Sequence, residues 1–111
     1  EGGGKMEDRR VFDRFSIKFP LRFLNPRSGG EALAQAQDIS AKGIGFETDE
    51  ELAGRTFLEM WLEVPDKGEP LYMRGEVVWS EKLEPQRCKV GVNLERANLM
   101  GLARVLRVKN P

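Results

Sequence analysis

The sequence predicts a small, mainly β domain in which a six-stranded antiparallel β-barrel is followed by one C-terminal α-helix. Three observations support this prediction. The chain has 111 residues, which is enough for one modest hydrophobic core and too few for two. Short segments of alternating apolar and polar residues recur along it, with glycine- and proline-rich turns between them. Near the C-terminus the apolar residues change to helical spacing.

The first two strands are predicted on either side of the turn NPRSGG. Residues 16–23 alternate strictly, and Pro20 predicts an edge or a bulge, because proline cannot donate a ladder hydrogen bond. Residues 31–40, EALAQAQDIS, contain good helix formers, but the short turn before them and the glycines after them favour a strand. The predicted inward face of the first strand carries Ile17, Phe19, Leu21 and Phe23.

Four more strands are predicted after these. Residues 43–46, GIGF, indicate a short one, and residues 57–64 and 71–79 indicate a hairpin around the turn PDKG. In the last strand, residues 88–94, Cys88 alternates in phase with the apolar residues that follow it. We therefore predict a small core residue at this position rather than a reactive thiol.

The closing helix is predicted at residues 98–108. Arg104 and Arg107 lie toward its end, where cations suit the helix dipole. Gly101 weakens such a helix by about 1 kcal/mol relative to alanine, so the helix depends on packing. Its predicted buried face carries Leu99, Leu102, Ala103 and Leu106.

The composition excludes several classes of function. Hydrophobic residues make up 40% and charged residues 32%, as is typical of a soluble globular chain, and no apolar run approaches the ~20 residues of a membrane-spanning helix. We therefore expect a cytoplasmic protein without membrane insertion. With one cysteine and no histidine, there are no residues for an intrachain disulfide, a cysteine/histidine metal site or a histidine-activated nucleophile. We expect neither an enzyme nor a cofactor.

The charges are segregated although they sum to zero. Residues 5–27 carry seven basic and three acidic side chains, residues 31–84 carry five and thirteen, and residues 85–111 carry six and one. Two interpretations stay open at this point: the basic ends fold onto the acidic middle, or they bind a polyanion such as a phosphate ester.

Two motifs stand out against this background. Arg10 and Arg14 form RxxxR, and Asp38, Ser40 and Gly43 form DxSxxG at the junction of two predicted strands. Taken alone, the first can be explained by salt bridges to the acidic middle and the second by an Asx-type turn. The glycine permits a positive φ angle or a close approach of the backbone.

Together, RxxxR and DxSxxG about two dozen residues later resemble the PilZ domain, the bacterial receptor for the second messenger cyclic di-GMP. The segments GIGF, GEPLYMRGEVVW and VGVNL and the closing helix extend the resemblance over the chain from about Asp8. We therefore predict a PilZ-type barrel, with residues 8–111 as a single PilZ domain. Residues 1–7, which begin EGGGK, are interpreted as a flexible leader of the kind that cloning leaves behind.

The resemblance implies a role for each motif residue. Arg10 and Arg14 would each bind a guanine O6/N7 edge, stack on a base or pair with a phosphate. Asp38 would accept hydrogen bonds from guanine N1–H and N2–H and carry base specificity. Ser40 would donate its hydroxyl to the ligand or brace the turn, and Gly43 would keep the wall low enough for the nucleotide to lie against it.

Two further residues are candidates for the same site. Arg9 would add a phosphate contact and influence whether one nucleotide or a stacked pair binds. Trp79 would offer a stacking face, although its alternation also fits the core. The arginines precede the barrel, so binding would order their segment over it and present the change to a downstream protein partner.

Other classes stay as alternatives. A PilZ-fold adaptor would bind protein without nucleotide, but adaptors usually lack the arginines or the aspartate and serine that this chain keeps. A barrel for single-stranded nucleic acid would need aromatic and basic residues on strands that are acidic here, so we expect no nucleic-acid partner. We expect a monomer or a weak dimer.

Overall fold

The computed structural model of the protein describes residues 13–109, which form a closed antiparallel barrel of six strands followed by one helix. Around the barrel the strands follow the order β1-β2-β3-β6-β5-β4. The mainly β fold is confirmed, whereas the leader predicted at residues 1–7 lies outside the described residues. The elements are β1 (Phe15–Leu24), β2 (Glu31–Ile39), β3 (Gly43–Thr48), β4 (Phe57–Leu62), β5 (Leu71–Glu84), β6 (Arg87–Leu94) and α1 (Leu99–Lys109).

Alternation along the strands builds the core. Side chains at every second position point inward, and the rings of Phe23 and Phe46 meet near the centre at 5.3 Å between centroids. Cys88 is buried among them, as predicted. The segment 31–39 is a strand despite its helix formers, because it pairs with β1 on one side and β3 on the other.

Pro20 lies next to an irregularity in β1, between Ser16 and Phe19, which agrees with the predicted bulge. Its carbonyl accepts a hydrogen bond from the backbone N–H of Glu63 at 2.9 Å, one residue beyond the last β4 partner of β1. The backbone N and O atoms of a strand residue point to the same side. The nitrogen of Pro20, which carries no hydrogen, therefore faces the end of the β1–β4 ladder, where the loss of one donor leaves few backbone groups unpaired.

A bulge in β2 turns one aspartate to the outside of the barrel. Asp38 stands two positions after the buried Ala36, so strict alternation would point its carboxylate into the core. Gln37 has no partner between the pairs that Ala36 and Asp38 make with β3, and this extra residue reverses the facing. Asp38 therefore faces outward while the next residue, Ile39, is buried.

A bulge in β5 turns a tryptophan to the outside of the barrel. Val77 pairs with Val92 and Trp79 with the adjacent Gly91, so Val78 is the extra residue. Val77 is fully buried, whereas Trp79 is 42% exposed. The alternative that Trp79 belongs to the core is therefore wrong, because the bulge ends the alternation on which it depended.

The helix packs through a narrower face than the sequence predicts. Asn98 caps it by accepting a hydrogen bond from the N–H of Gly101 at 2.9 Å, and Leu102 and Val105 are buried. At 100° per residue, these two positions and the buried Gly101 span just over a quarter turn, and Leu99 and Ala103 lie beyond it. The prediction that Leu99 and Ala103 are buried is therefore wrong; Leu99 is 57% exposed.

An ion pair ties α1 to the turn between β4 and β5. Arg104 donates from Nε and Nη2 to the two carboxylate oxygens of Asp66, both at 2.7 Å, and from Nη2 to the carbonyl of Glu69 at 2.6 Å. These bonds, with one from the N–H of Gly68, hold the pKa of Asp66 well below its usual range. In the described part of the chain, no helix has the length and apolar character needed to span a membrane.

Removal of the buried leucine of α1 should destabilise the whole domain. We expect Leu102→Ala to lower the free energy of unfolding by about 2–5 kcal/mol, because the substitution leaves a cavity between the helix and the barrel. Met100→Ala, two residues away and 85% exposed, should change it by less than about 0.5 kcal/mol. Urea denaturation followed by circular dichroism measures both. Equal losses would mean that the helix does not pack as described.

The contribution of Asp66 to stability should disappear in acid. Since its pKa is lowered in the folded protein, the stabilisation is complete above the ordinary value of 3.8 and is lost as the pH falls toward the folded-state value. The difference in unfolding free energy between the wild type and Asp66→Asn should therefore be constant from pH 7 to 5 and shrink between pH 4 and 2. A difference that grows in acid would contradict the Arg104 contact.

Candidate functional site

A row of outward positions crosses five strands of the barrel. Cross-strand pairing places Ser16 of β1 beside Asp38 of β2, Asp38 beside Gly45 of β3, Gly45 beside Gly91 of β6, and Gly91 beside Trp79 of β5. We call these five residues the site row. Because neighbouring strands lie about 4.8 Å apart, Asp38 and Trp79 are separated by roughly 14 Å of barrel surface.

The two glycines of the site row leave room for their neighbours. A Cβ atom at Gly45 would lie 2.9 Å from the carboxylate oxygens of Asp38, and one at Gly91 would overlap the ring of Trp79. The carboxylate and the indole therefore lie directly on bare backbone. Gly45 and Gly91 were not among the residues predicted for the site, although a glycine inside a strand pattern indicates such a close approach.

Arg14 and Asp38, from the two predicted motifs, meet at one end of the site row. The Nη1 atom of Arg14 donates to Oδ1 of Asp38 at 2.6 Å, and the two side chains are 47% and 23% exposed. The guanidinium group lies over Gly43, where a Cβ atom would stand 3.0 Å from Nη2. The structure thus brings three predicted site residues together, with a cation and an anion open to solvent.

Ser40 and Gly43 shape the turn that leads into β3. The Ser40 hydroxyl oxygen accepts a hydrogen bond from the N–H of Gly43 at 3.0 Å, and the serine is buried. Of its two predicted roles, bracing of the turn is the one that the structure shows. The φ angle of Gly43 is not positive, so this glycine serves close approach, here of the Arg14 side chain.

The remaining predicted residues divide into two groups. Trp79 lies at the far end of the site row with its indole ring partly exposed, which makes one ring face available for stacking. Arg9 and Arg10 lie outside the described residues. Asn93, which belongs to neither predicted motif, is exposed beside Gly43 and adds an amide to the same wall.

The site row borders a groove on the barrel surface. Within residues 13–109, no three histidine, cysteine, aspartate or glutamate side chains are grouped so as to hold a metal. A groove of about 470 Å³ borders the row at Ser16 and Gln37 and reaches Val108 and Lys109 of α1. The groove combines apolar walls with two lysines, Lys18 and Lys109.

The chain belongs to the PilZ domain family. The family model described as "PilZ domain" matches residues 8–107, nearly the whole chain. The barrel with its C-terminal helix is therefore a PilZ domain in sequence pattern as well as in fold. No curated protein sequence matches the chain.

Solved structures share this fold at low sequence identity. The PilZ domain of YcgR from Escherichia coli, solved with c-di-GMP, is 8% identical with a TM-score of 0.65, over 86% of this chain and 85% of that one. The PilZ domain of CeSA from a cellulose-synthesizing bacterium is 17% identical with a TM-score of 0.59, over 86% and 93%. The inhibitor of motility MotI/DgrA from Bacillus subtilis is 14% identical with a TM-score of 0.62, over 86% and 47%, so this chain spans about half of that protein.

Addition of a single methyl group to Gly91 should displace Trp79. We expect Gly91→Ala to move the Trp79 indole N–H resonance in a ¹H–¹⁵N spectrum, since the new Cβ atom and the ring cannot share the same space. The Trp61 indole resonance serves as an internal reference because Trp61 lies on β4. Gly54→Ala, at a glycine with open space around it, is the matched control and should move neither resonance.

Proposed function

We propose that the protein is a receptor for cyclic di-GMP and that the nucleotide binds along the site row. The observation that carries the proposal is the bulge-directed carboxylate of Asp38, which lies on bare glycine backbone with the guanidinium of Arg14 beside it. A guanine base needs this pair of partners, one that accepts from N1–H and N2–H and one that donates to O6 and N7. No catalytic step is part of the proposal.

The length of the site row supports a second contact to the ligand. With one guanine held at Asp38, the remaining part of the dinucleotide extends toward Gly91 and Trp79, where the backbone is free of side chains except for the indole ring. A base that stacks on such a ring gains roughly 1–3 kcal/mol. We assign base recognition to Asp38, and stacking to Trp79.

Binding requires the Arg14–Asp38 ion pair to open. In the structure, Arg14 satisfies the carboxylate that would read guanine, and such an exposed pair is worth about 0–1 kcal/mol. Hydrogen bonds from guanine replace this contact at Asp38. Arg14 is then released to a base edge or a phosphate together with Arg9 and Arg10, and the N-terminal segment that carries them changes position.

The comparisons support the same ligand. Besides the PilZ domain of YcgR, PlzA from Borreliella burgdorferi was solved in complex with c-di-GMP; it is 12% identical, with a TM-score of 0.58 over 98% of this chain and 44% of that one. We infer that the receptor reports to a protein partner in the control of motility, biofilm or exopolysaccharide. The alternative is a PilZ-fold adaptor that binds protein without nucleotide. One observation favours this alternative: Arg14 and Asp38 already satisfy each other's charge through their ion pair.

Calorimetric titration with cyclic di-GMP tests the receptor proposal. We expect saturable binding by the wild type, with no binding of GTP or cyclic di-AMP at the same concentrations, because only guanine offers N1–H and N2–H to Asp38 and only the dinucleotide spans the site row. Asp38→Ala and Arg14→Ala should abolish binding and leave the circular dichroism spectrum unchanged, since both side chains are solvent-accessible. Trp79→Ala should weaken binding about ten- to a hundredfold.

Arg74→Ala is the matched control for these variants. Arg74 is also an exposed arginine in an ion pair, 3.7 Å from Glu95. It lies on β5, five residues before Trp79 and therefore outside the site row. Its loss should leave the affinity unchanged. A wild-type protein that binds no cyclic di-GMP at millimolar concentration would make the adaptor the better description.

A further inference from the structure

A second row of outward side chains crosses a different part of the barrel. Cross-strand pairing places Leu33 of β2 beside Arg22 of β1, Arg22 beside Trp61 of β4, and Trp61 beside Tyr72 of β5. We call these four residues the aromatic row. β4 is three strands from β3 in either direction around the six-stranded barrel, so the middle of this row faces away from the middle of the site row.

The side chains of the aromatic row hold one another in place. The guanidinium carbon of Arg22 lies 5.5 Å from the centroid of the Trp61 ring, and the rings of Trp61 and Tyr72 are 5.6 Å apart at 52°. The Tyr72 hydroxyl donates a hydrogen bond to Glu59 at 2.9 Å. These contacts reduce the side-chain entropy that a partner would otherwise have to remove on binding.

The exposed apolar surface of the row has no partner among the described residues. Leu33 is 74% exposed at one end of the row, and Tyr72 is nearly half exposed at the other. Tryptophan, tyrosine and arginine are the residues on which protein–protein binding energy most often depends. Their alignment across three adjacent strands therefore forms a ready contact patch for another protein.

The charges around the aromatic row decide the chemistry of that protein. We call the outer barrel surface around the aromatic row the wall. It carries two arginines, and both are already paired: Arg22 with Glu31 and Glu63, and Arg74 with Glu95. Five carboxylates face outward here against two guanidinium groups, so the wall carries a net negative charge. The five are Glu31, Glu59, Glu63, Glu76 and Glu95. A polyanion is repelled by this wall, whereas lysine and arginine side chains are attracted to it.

We propose that the aromatic row and its acidic rim are a docking surface for a basic protein segment that places an aliphatic side chain against Trp61. The wall is four strands wide and about three outward-facing residues long on each strand, which gives an area on the order of 400 Å². That is about half of a standard interface on one partner, so the contact is transient. A second copy of the chain is disfavoured, because two such walls would bring like charges together.

This surface is separate from the proposed nucleotide site, and its assignment does not depend on nucleotide binding. The test is titration of the ¹⁵N-labelled protein with a heptapeptide that alternates lysine and leucine, capped at both ends. We expect saturable shifts of the Trp61 indole N–H and of the backbone amides of Arg22, Leu33 and Tyr72. The corresponding glutamate–leucine peptide should cause none, because the rim repels it.

Matched variants distinguish the wall from other exposed apolar residues. Leu33→Lys should weaken peptide binding about tenfold, and Met100→Lys, the same kind of change at an 85% exposed position of α1, should leave it unchanged. Glu63→Lys should also weaken it, whereas Glu51→Lys, at an exposed glutamate that pairs with Lys82, should not. All four variants should retain the wild-type response to cyclic di-GMP.

Several results would overturn the proposal. The absence of shifts with the lysine peptide, equal shifts with the glutamate peptide, or shifts centred on Leu99 and Met100 would each reject the wall as a basic-segment site. Concentration-dependent dimerisation that Leu33→Lys abolishes would assign the wall to a second copy instead. Failure of cyclic di-GMP to bind, with the peptide shifts intact, would count against the nucleotide site alone.

Discussion

Closure of the barrel is the constraint on which the rest of the structure depends. In a closed sheet each strand residue faces either the core or the outside, and strict alternation assigns the two. Under that rule Asp38 would bury a charge and Trp79 would enter the core, because Ala36 and Val77 are fully buried. One extra residue in each strand reverses both assignments. The site exists because the alternation fails at two positions.

Most of the fold follows from the sequence because it depends on period and turn chemistry. The closing helix, the burial of Cys88 and most of the strands can be predicted from the spacing of apolar residues, and the second strand from the turns on either side of it. The helix face was predicted too broadly, since the packing of α1 uses Val105 and leaves Leu99 outside. The spacing of apolar residues predicts which face of the helix is apolar. Contact with the barrel decides which part of that face is buried.

The candidate site was only partly predictable. Asp38 and Arg14 could be chosen because their motifs resemble those of a family, and the structure places their charged atoms 2.6 Å apart. Gly45 and Gly91 could not be recognised as their supporting surface without register, since a one-residue shift would turn both inward. The bulge at Gln37 is equally hidden, because no residue type there requires it. Partners across strands, rather than neighbours in sequence, define this surface.

The Arg14–Asp38 pair also bears on how the site responds to salt. Nucleotide binding in the proposed mode would break one ion pair within the protein and form others with two phosphates, and added salt would screen both kinds. Because one ion pair is lost for those that form, the net increase in ion pairs is smaller than the number present in the complex. A receptor that begins from a closed pair therefore loses less affinity at high ionic strength than one whose carboxylate and guanidinium stand apart. Under the proposed binding mode, the Arg14–Asp38 pair would therefore reduce the salt dependence of nucleotide affinity.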